Sequence, residues 1–321
     1  MKLARYIGNG QIAIVEEPEP SLPEGGLLVR TEACGLCSGE LMDWYMDRKV
    51  PHVLGHEVVG AVVASDDSQF EVGSRVFVHH HAACGRCAMC RTNRHAHCEQ
   101  WRATKLMPGG MAEVFAVPRE NLDDAFAVGP LRPVDAALIE PLGCVLKSLD
   151  RVELPHSQRP TGAAVAVVGL GPMGLMHLLL LPGAIGYELR PERREWAHGL
   201  GLEAREPDQA EPADIVFVCP GTPSALEFAA KIVNPGGAVV LFAPMGGRVA
   251  VDLDPLYFKD VTLHTSYSCG PKETSRAARV LRQGALKAEQ VVSDFVTLEE
   301  LPSAYEAMKR GDILKAMVLF G

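Results

Sequence analysis

The sequence predicts an α/β protein whose core is a doubly wound parallel sheet. Three features lead to that class. The stretch AAVAVVGLGPMG (163 to 174) runs from an apolar strand through closely spaced glycines into the helical LMHLLL. Further apolar runs, ADIVFVCPGT, GGAVVLFAPMGG and VTLHTSY, read as buried strands, and helical stretches such as PSALEFAAKIV lie between them, as a parallel sheet requires. At 321 residues, with 47% hydrophobic and 22% charged residues, the composition is globular and the length suits one large or two ordinary domains.

The chain opens with MKLARYIGNGQIAIVEEPEP, which reads as a β-hairpin and lacks the apolar core of a secretory signal. A net charge of -9 with scattered basic residues gives no footprint for nucleic acid or an anionic membrane surface. A small-molecule ligand is expected instead. The stretch 163 to 186 has the length of a membrane span, yet its five glycines and two prolines split it into strand, turn and helix. The expected location is therefore cytoplasmic, where the nine cysteines stay reduced and free to bind metal.

The glycine turn carries the cofactor expectation. Gly169 permits the tight turn, Gly171 lets the backbone approach a pyrophosphate, and Gly174 lets the helix pack on the strand, with Pro172 and Met173 between the last two. Glu188, at the end of the next strand AIGYEL, is placed to accept the hydroxyls of an adenosine ribose and to repel a 2'-phosphate, which favours NAD over NADP. Arg190 and Arg193 are positioned to serve a 2'-phosphate and pull the other way. Gly221 and Thr222, after a later strand, are expected to face the binding crevice. The plain alternative is a structural turn with Glu188 merely solvated.

Two sets of metal donors stand out. Cys84, Cys87, Cys90 and Cys98 follow a C-x2-C-x2-C-x7-C spacing that delivers four thiolates to one zinc, a closed site that staples a lobe. His79, His80, His81, His95 and His97 lie nearby as competing ligands, or as solvated loop residues and a strand cap. Cys37, His56, Glu57 and Glu140 come from distant segments and offer soft, intermediate and hard donors with room for water or substrate, the pattern of a catalytic zinc.

Taken in order, CGLC with Cys37, GHE with His56 and Glu57, the four-cysteine lobe, GGMAEVFAVP (109 to 118), IEPL with Glu140 and VVGLGPMG resemble the zinc-containing medium-chain dehydrogenase/reductase family, most of all its sorbitol and threonine dehydrogenase branch. The resemblance implies a GroES-like β-barrel catalytic domain over 1–140, with the zinc lobe at about 80–100, a Rossmann NAD-binding domain over 141–265, and a return to the catalytic domain over 266–321. It implies two zincs per chain, NAD, hydride transfer from a secondary alcohol of polyol or sugar-like type, and a homodimer or homotetramer. Cys37, His56 and Glu140 are the implied catalytic zinc ligands, Glu57 an alternate ligand, and Glu40 the carboxylate that orients His56. Cys34, Cys144, Cys219 and Cys269 match no ligand position and read as small core residues.

Three departures from the family pattern bear on mechanism. Gly39 and Met42 stand where proton-relay residues are usual, leaving Ser38, a water or Lys147 to substitute. The helix after the glycine turn is cut short at LLLLPGAIG, and the loop from Cys37 to His56 is also short, with Trp44, Tyr45, Asp47 and Arg48 at a possible pocket mouth. Amino alcohol oxidation of the threonine type, with Asp47 or Arg48 holding a zwitterion, and a nucleotide-binding module without catalysis are the competing readings.

Overall fold

The computed structural model describes residues 1–153 and 162–321. Two compact units divide the chain, one formed by Met1–Gly143 with Cys269–Gly321 and the other by Cys144–Ser268. Each boundary falls three residues beyond the position expected from sequence.

In the first unit, strands Lys2–Gly8 and Gln11–Glu16 form the antiparallel opening hairpin. Asp47 ties it down, its Oδ1 accepting from the Tyr6 hydroxyl at 2.7 Å and from the Asn9 N–H at 2.9 Å. Asp47, expected at a pocket mouth, is exposed and holds the hairpin through Oδ1 alone. The main sheet is antiparallel except at one end, in the order Asp294–Val296, Ala316–Leu319, Leu27–Gly35, Glu57–Ser65, Arg75–Val78 and Ala125–Ala127, with Val114–Val117 also on Leu27–Gly35. Leu27, Val29, Thr31 and Ala33 alternate inward along their strand, as period-two patterning dictates.

The C-terminal segment completes this unit. In LPSAYEAMKR the spacing of Leu301, Ala304, Tyr305 and Met308 puts all four on one helical face, and all are buried. Gly311, at φ 78°, ends that helix in a left-handed cap. Ala316–Leu319 then inserts beside Leu27–Gly35, with Val318 opposite Cys34.

The second unit is a six-stranded parallel sheet in the order Glu203–Arg205, Ile185–Tyr187, Val165–Val168, Ala213–Val218, Val233–Leu241 and Thr262–Thr265. Val165–Val168 is central and buried along its length, which explains its unbroken apolar sequence. The helix Pro172–Leu180 is short, yet the strand after it keeps its register, with Ile185, Gly186 and Tyr187 opposite Ala166, Val167 and Val168. VTLHTSY departs from its expected burial. Its strand Thr262–Thr265 lies at the sheet edge with Leu263 42% exposed, and β-branched residues suit an edge as well as a centre. Among the described residues no helix is long and apolar enough to cross a membrane.

Candidate active site

Strand pairing assembles the first donor set. Cys37 lies just beyond the end of strand Leu27–Gly35, His56 just before strand Glu57–Ser65, and the two strands pair with Gly35 opposite Glu57. A one-residue slip of register would scatter the set. Gly35 is required there, since a Cβ on it would lie 2.1 Å from Glu57 Oε2. The ligand atoms of Cys37, His56 and Glu57 all fall within 4.8 Å of one another.

Glu40 fixes the orientation of this set. Its carboxylate accepts the N–H of Gly55 at 2.7 Å and of Cys37 at 3.2 Å, and it faces His56 Nδ1 at 3.3 Å. Burial alone would raise the Glu40 pKa, but His56 and the two backbone donors bring it down to about 2. Burial likewise disfavours a charged His56, and the neighbouring Glu40 and Cys37 outweigh it, holding the His56 pKa well above its ordinary value. Such a carboxylate behind Nδ1 leaves Nε2 to face a metal.

Glu57 is buried in an ion pair with Lys315, Nζ to Oε2 at 2.6 Å, while Lys315 also donates to the Leu36 carbonyl at 2.9 Å. Lys315 occupies Oε2, and Glu57 Oε1 has no hydrogen-bond partner among the described residues. Buried carboxylate lone pairs beside a thiol and an imidazole fit a divalent cation of the zinc type. Ser38 is exposed at the start of the short helix Ser38–Leu41, whose first turn donates Gly39 N–H to Cys37 Sγ at 3.3 Å. Lys147 donates to the Tyr267 carbonyl at 2.8 Å.

Glu140 is not a member of this group. It opens the helix Ile139–Asp150, and its carboxylate falls instead with His79 and Cys269 in a separate set whose ligand atoms also lie within 4.8 Å of one another.

The four-cysteine lobe forms as its spacing indicates. Cys87 Sγ lies 3.5 Å and Cys84 Sγ 4.0 Å from Cys90 Sγ, bracketing the edge of about 3.8 Å for a tetrahedron of sulfurs around zinc. The backbone N–H groups of Arg86 and Cys87 lower the Cys84 thiol to about 6, which favours the thiolate that a metal needs. None of these cysteines is in a disulfide.

In the second unit the three glycines have separable roles. Gly169 adopts φ +82°, and a Cβ on Gly174 would lie 1.9 Å from the Gly169 carbonyl oxygen. A Cβ on Gly171 would meet nothing nearer than the Arg193 guanidinium at 3.9 Å, so open space lies above the turn at this position. Pro172 starts the helix, Met173 follows it, and the Met173 carbonyl lies 2.7 Å from His177 Nδ1. Glu188 is buried, accepts from Leu170 N–H at 2.8 Å and Arg190 N–H at 3.0 Å, and lies 3.6 Å from Arg193. Thr222 caps the helix Pro223–Ile232 by accepting from Ala225 N–H at 3.4 Å, and Gly221 packs too closely on the Pro244 carbonyl to carry a side chain.

Comparison with known proteins agrees with this architecture. Residues 23–125 match the alcohol dehydrogenase GroES-like domain family. The chain is 27% identical to a sorbitol dehydrogenase of Bacillus subtilis over 99% of its own length and 97% of that protein. It is also 27% identical to an L-threonine 3-dehydrogenase of Pyrococcus horikoshii, over 97% and 95% of the two chains. An alcohol dehydrogenase structure from Thermus sp. ATN1 superposes with a TM-score of 0.85 at 27% identity, covering 100% of both chains. Along nearly its whole length the chain is similar to zinc-containing medium-chain dehydrogenases.

As a medium-chain dehydrogenase it is an NAD(P)-dependent, zinc-dependent oxidoreductase. Part of this dehydrogenase's buried polar chemistry was not apparent in its sequence. His79 was expected as a competing ligand, a solvated loop residue or a strand cap, and it is fully buried, with Nδ1 2.7 Å from Asp124 Oδ2. Cys269 was expected to be inert core, and its Sγ lies 3.7 Å from His79 Nε2. The one available signal was RVFVH itself, a run in which Val76, Phe77, Val78 and His79 are all buried.

Proposed function

We propose that this dehydrogenase oxidises a secondary alcohol of a polyol or sugar-like substrate, with NAD as the cofactor and zinc held by Cys37, His56 and Glu57. A second zinc belongs to Cys84, Cys87, Cys90 and Cys98 as a structural ion. The observation that carries the reading is Glu40 standing behind His56 Nδ1 while Cys37 and Glu57 converge within 4.8 Å of it. The chemistry supplied there, once both are bound, is Lewis acidity from zinc toward an alcohol oxygen and hydride acceptance by nicotinamide.

The chain's own residues do the rest. Glu40 holds the imidazole in one orientation, and Lys315 offsets the charge of Glu57. Ser38, exposed next to Cys37, passes the substrate proton toward water. Glu188 accepts the ribose hydroxyls, and its negative charge disfavours a 2'-phosphate. A carboxylate among the ligands makes the metal harder than thiolates would, which suits hydroxyl-rich substrates. The likeness to a sorbitol dehydrogenase supports the same class.

The likeness to a threonine dehydrogenase supports amino alcohol oxidation as a second reading, with Asp47 or Arg48 to hold the zwitterion. Rates of NADH formation on sorbitol, threonine and a simple secondary alcohol decide between them. Turnover should be fastest on the polyol and lost in Cys37→Ala; full activity in that variant would remove the zinc assignment.

The outer strand of the second unit's sheet, Thr262–Thr265, is where a second copy of the chain is expected. Leu263 there is 42% exposed, and Tyr257 and Phe258 nearby are 79% and 80% exposed.

A further inference from the structure

We propose that the mouth of the Cys37 set takes an anionic substrate, a polyol or sugar bearing a carboxylate or phosphate, whose charge is received by Arg48, Lys49 and Lys105. This rests on the reading of Cys37, His56 and Glu57 as the reacting centre and narrows the substrate class for it.

The path of the chain brings two of these cations to the mouth. Residues 38–55 leave the metal set at Cys37 and return to it at His56, by way of the short helices Asp43–Met46 and Asp47–Lys49 and the strand His52–Val53. The segment is anchored: Met46 is fully buried, Lys309 Nζ lies 2.7 Å from Asp43 Oδ2, and Tyr6 bonds Asp47. Trp44 and Tyr45 remain 38% exposed, and each has a cation over its ring. The Arg48 guanidinium carbon is 5.4 Å from the Trp44 centroid, and Lys49 Nζ is 3.8 Å from that of Tyr45. A ring positions a cation without neutralising it, so the N–H donors stay free for an anion.

The lysines also act on the histidines beside the set. The rings of His56 and His80 lie 4.8 Å apart, and those of His80 and His81 4.2 Å. Burial depresses the His52 pKa most and Glu40 opposes it, while the charges of Lys49, His56 and Lys105 depress it further. Lys49 works in the same direction on His80 and His81, after burial and the neighbouring imidazoles. It is thus within electrostatic reach of three imidazoles around His56.

These cations lack compensation. Among the described residues Arg48, Lys49 and Lys105 have no carboxylate partner, whereas Lys2, Arg5, Arg75, Lys309 and Lys315 of the same unit each have one. Asp47 is the one carboxylate between positions 44 and 56, and its Oδ1 already accepts from Tyr6 and Asn9. In a chain of net charge -9, a local positive excess is a place to receive negative charge. A buried nitrogen points the same way, since His80 Nδ1 has no hydrogen-bond partner among the described residues and is available to a substrate hydroxyl. Three side chains are too few to track a nucleic acid or a membrane surface, so the anion is small.

The test is calorimetric titration of the zinc-loaded protein saturated with NADH, which prevents oxidation of an alcohol, using sorbitol, gluconate and sorbitol 6-phosphate. At least one of the two anions should bind roughly 10-fold or more tightly than sorbitol, and whichever does so distinguishes carboxylate from phosphate. The advantage should shrink as salt is raised. It should largely vanish in a Lys49→Gln, Lys105→Gln double variant, both side chains being exposed, and persist in Lys231→Gln, exposed on the second unit. Binding of neither anion more tightly than sorbitol, or an advantage that survives in the double variant, would overturn the proposal. Oxidation of sorbitol without any anion advantage would remove this substrate class and leave the dehydrogenase reading standing. A lysine-dependent advantage with no oxidation of any of the three would do the reverse.

Discussion

Leu170 donates its backbone N–H to the Glu188 carboxylate at 2.8 Å, so the residue proposed to hold the cofactor's ribose also pins the glycine turn that receives its phosphates. Replacing Glu188 by Gln keeps an oxygen for Leu170 and removes the charge. A hydrogen bond to a charged acceptor contributes about 1.5 to 3 kcal/mol, so Glu188→Gln should weaken NAD binding roughly 10-fold or more and narrow the preference over NADP. KM values for both cofactors, with a thermal melt to show that the turn survives, provide the check.

Glu40→Gln addresses the first metal set. Carboxylates that orient a metal-bound histidine typically account for 10- to 100-fold in affinity, and a drop of roughly that size is expected in zinc binding by the set around Cys37. Competition with a chromophoric chelator measures it. The four-cysteine zinc should be unaffected.

Gly171→Ala and Gly174→Ala should fail differently. A Cβ on Gly174 would overlap the Gly169 carbonyl at 1.9 Å, so that variant should lose about 1 to 3 kcal/mol of stability. Gly171 has open space out to 3.9 Å, so its variant should melt like the wild type and lose cofactor affinity alone. Urea melts and NADH titrations of both variants separate the two effects.

Acid should destabilise the second unit through His177. Its ring is fully buried, with Nε2 2.7 Å from Ser148 Oγ, and burial lowers its pKa from 6.5 to about 4. Between those values the unfolded chain binds the proton and the folded one does not, so stability falls as pH drops from 6.5 toward 4, by roughly 3 kcal/mol at most. His177→Asn should flatten that branch of a stability profile. Glu40 acts mostly lower, its contribution being lost as pH falls from 4.5 toward 2.

The exposed edge gives a hydrodynamic prediction. Light scattering should find a dimer or tetramer in the wild type, and Leu263→Lys should shift it toward monomer. An unchanged mass would exclude that edge as the contact.

Much of the fold was legible because its signals are local. The glycine turn, the C-x2-C spacing and the strand periods each lie within a few residues, and the physics that reads them is short-ranged. The pairing that sets Gly35 opposite Glu57 was reachable only through resemblance to a family, which placed Cys37 and His56 in one set, and their ligand atoms do lie together. The nearness of Glu140 to His79 and Cys269 was not legible because both look ordinary in sequence: one sits in a run of three histidines and the other among scattered cysteines. The edge position of Thr262–Thr265 depends on how many strands the sheet holds, which no single segment encodes.

Lys315 binds the Leu36 carbonyl across 279 residues of chain, and strand Ala316–Leu319 completes a sheet begun by Leu27–Gly35. During synthesis the nucleotide unit therefore emerges whole from the ribosome while the metal-bearing unit still lacks two of its strands, Asp294–Val296 and, last, Ala316–Leu319. Until that strand arrives, Glu57 has no counter-ion, and Cys269 and Thr274 reach the partners His79 and Asp124 only late. The path of the chain thus orders folding, with the cofactor fold first and barrel closure last.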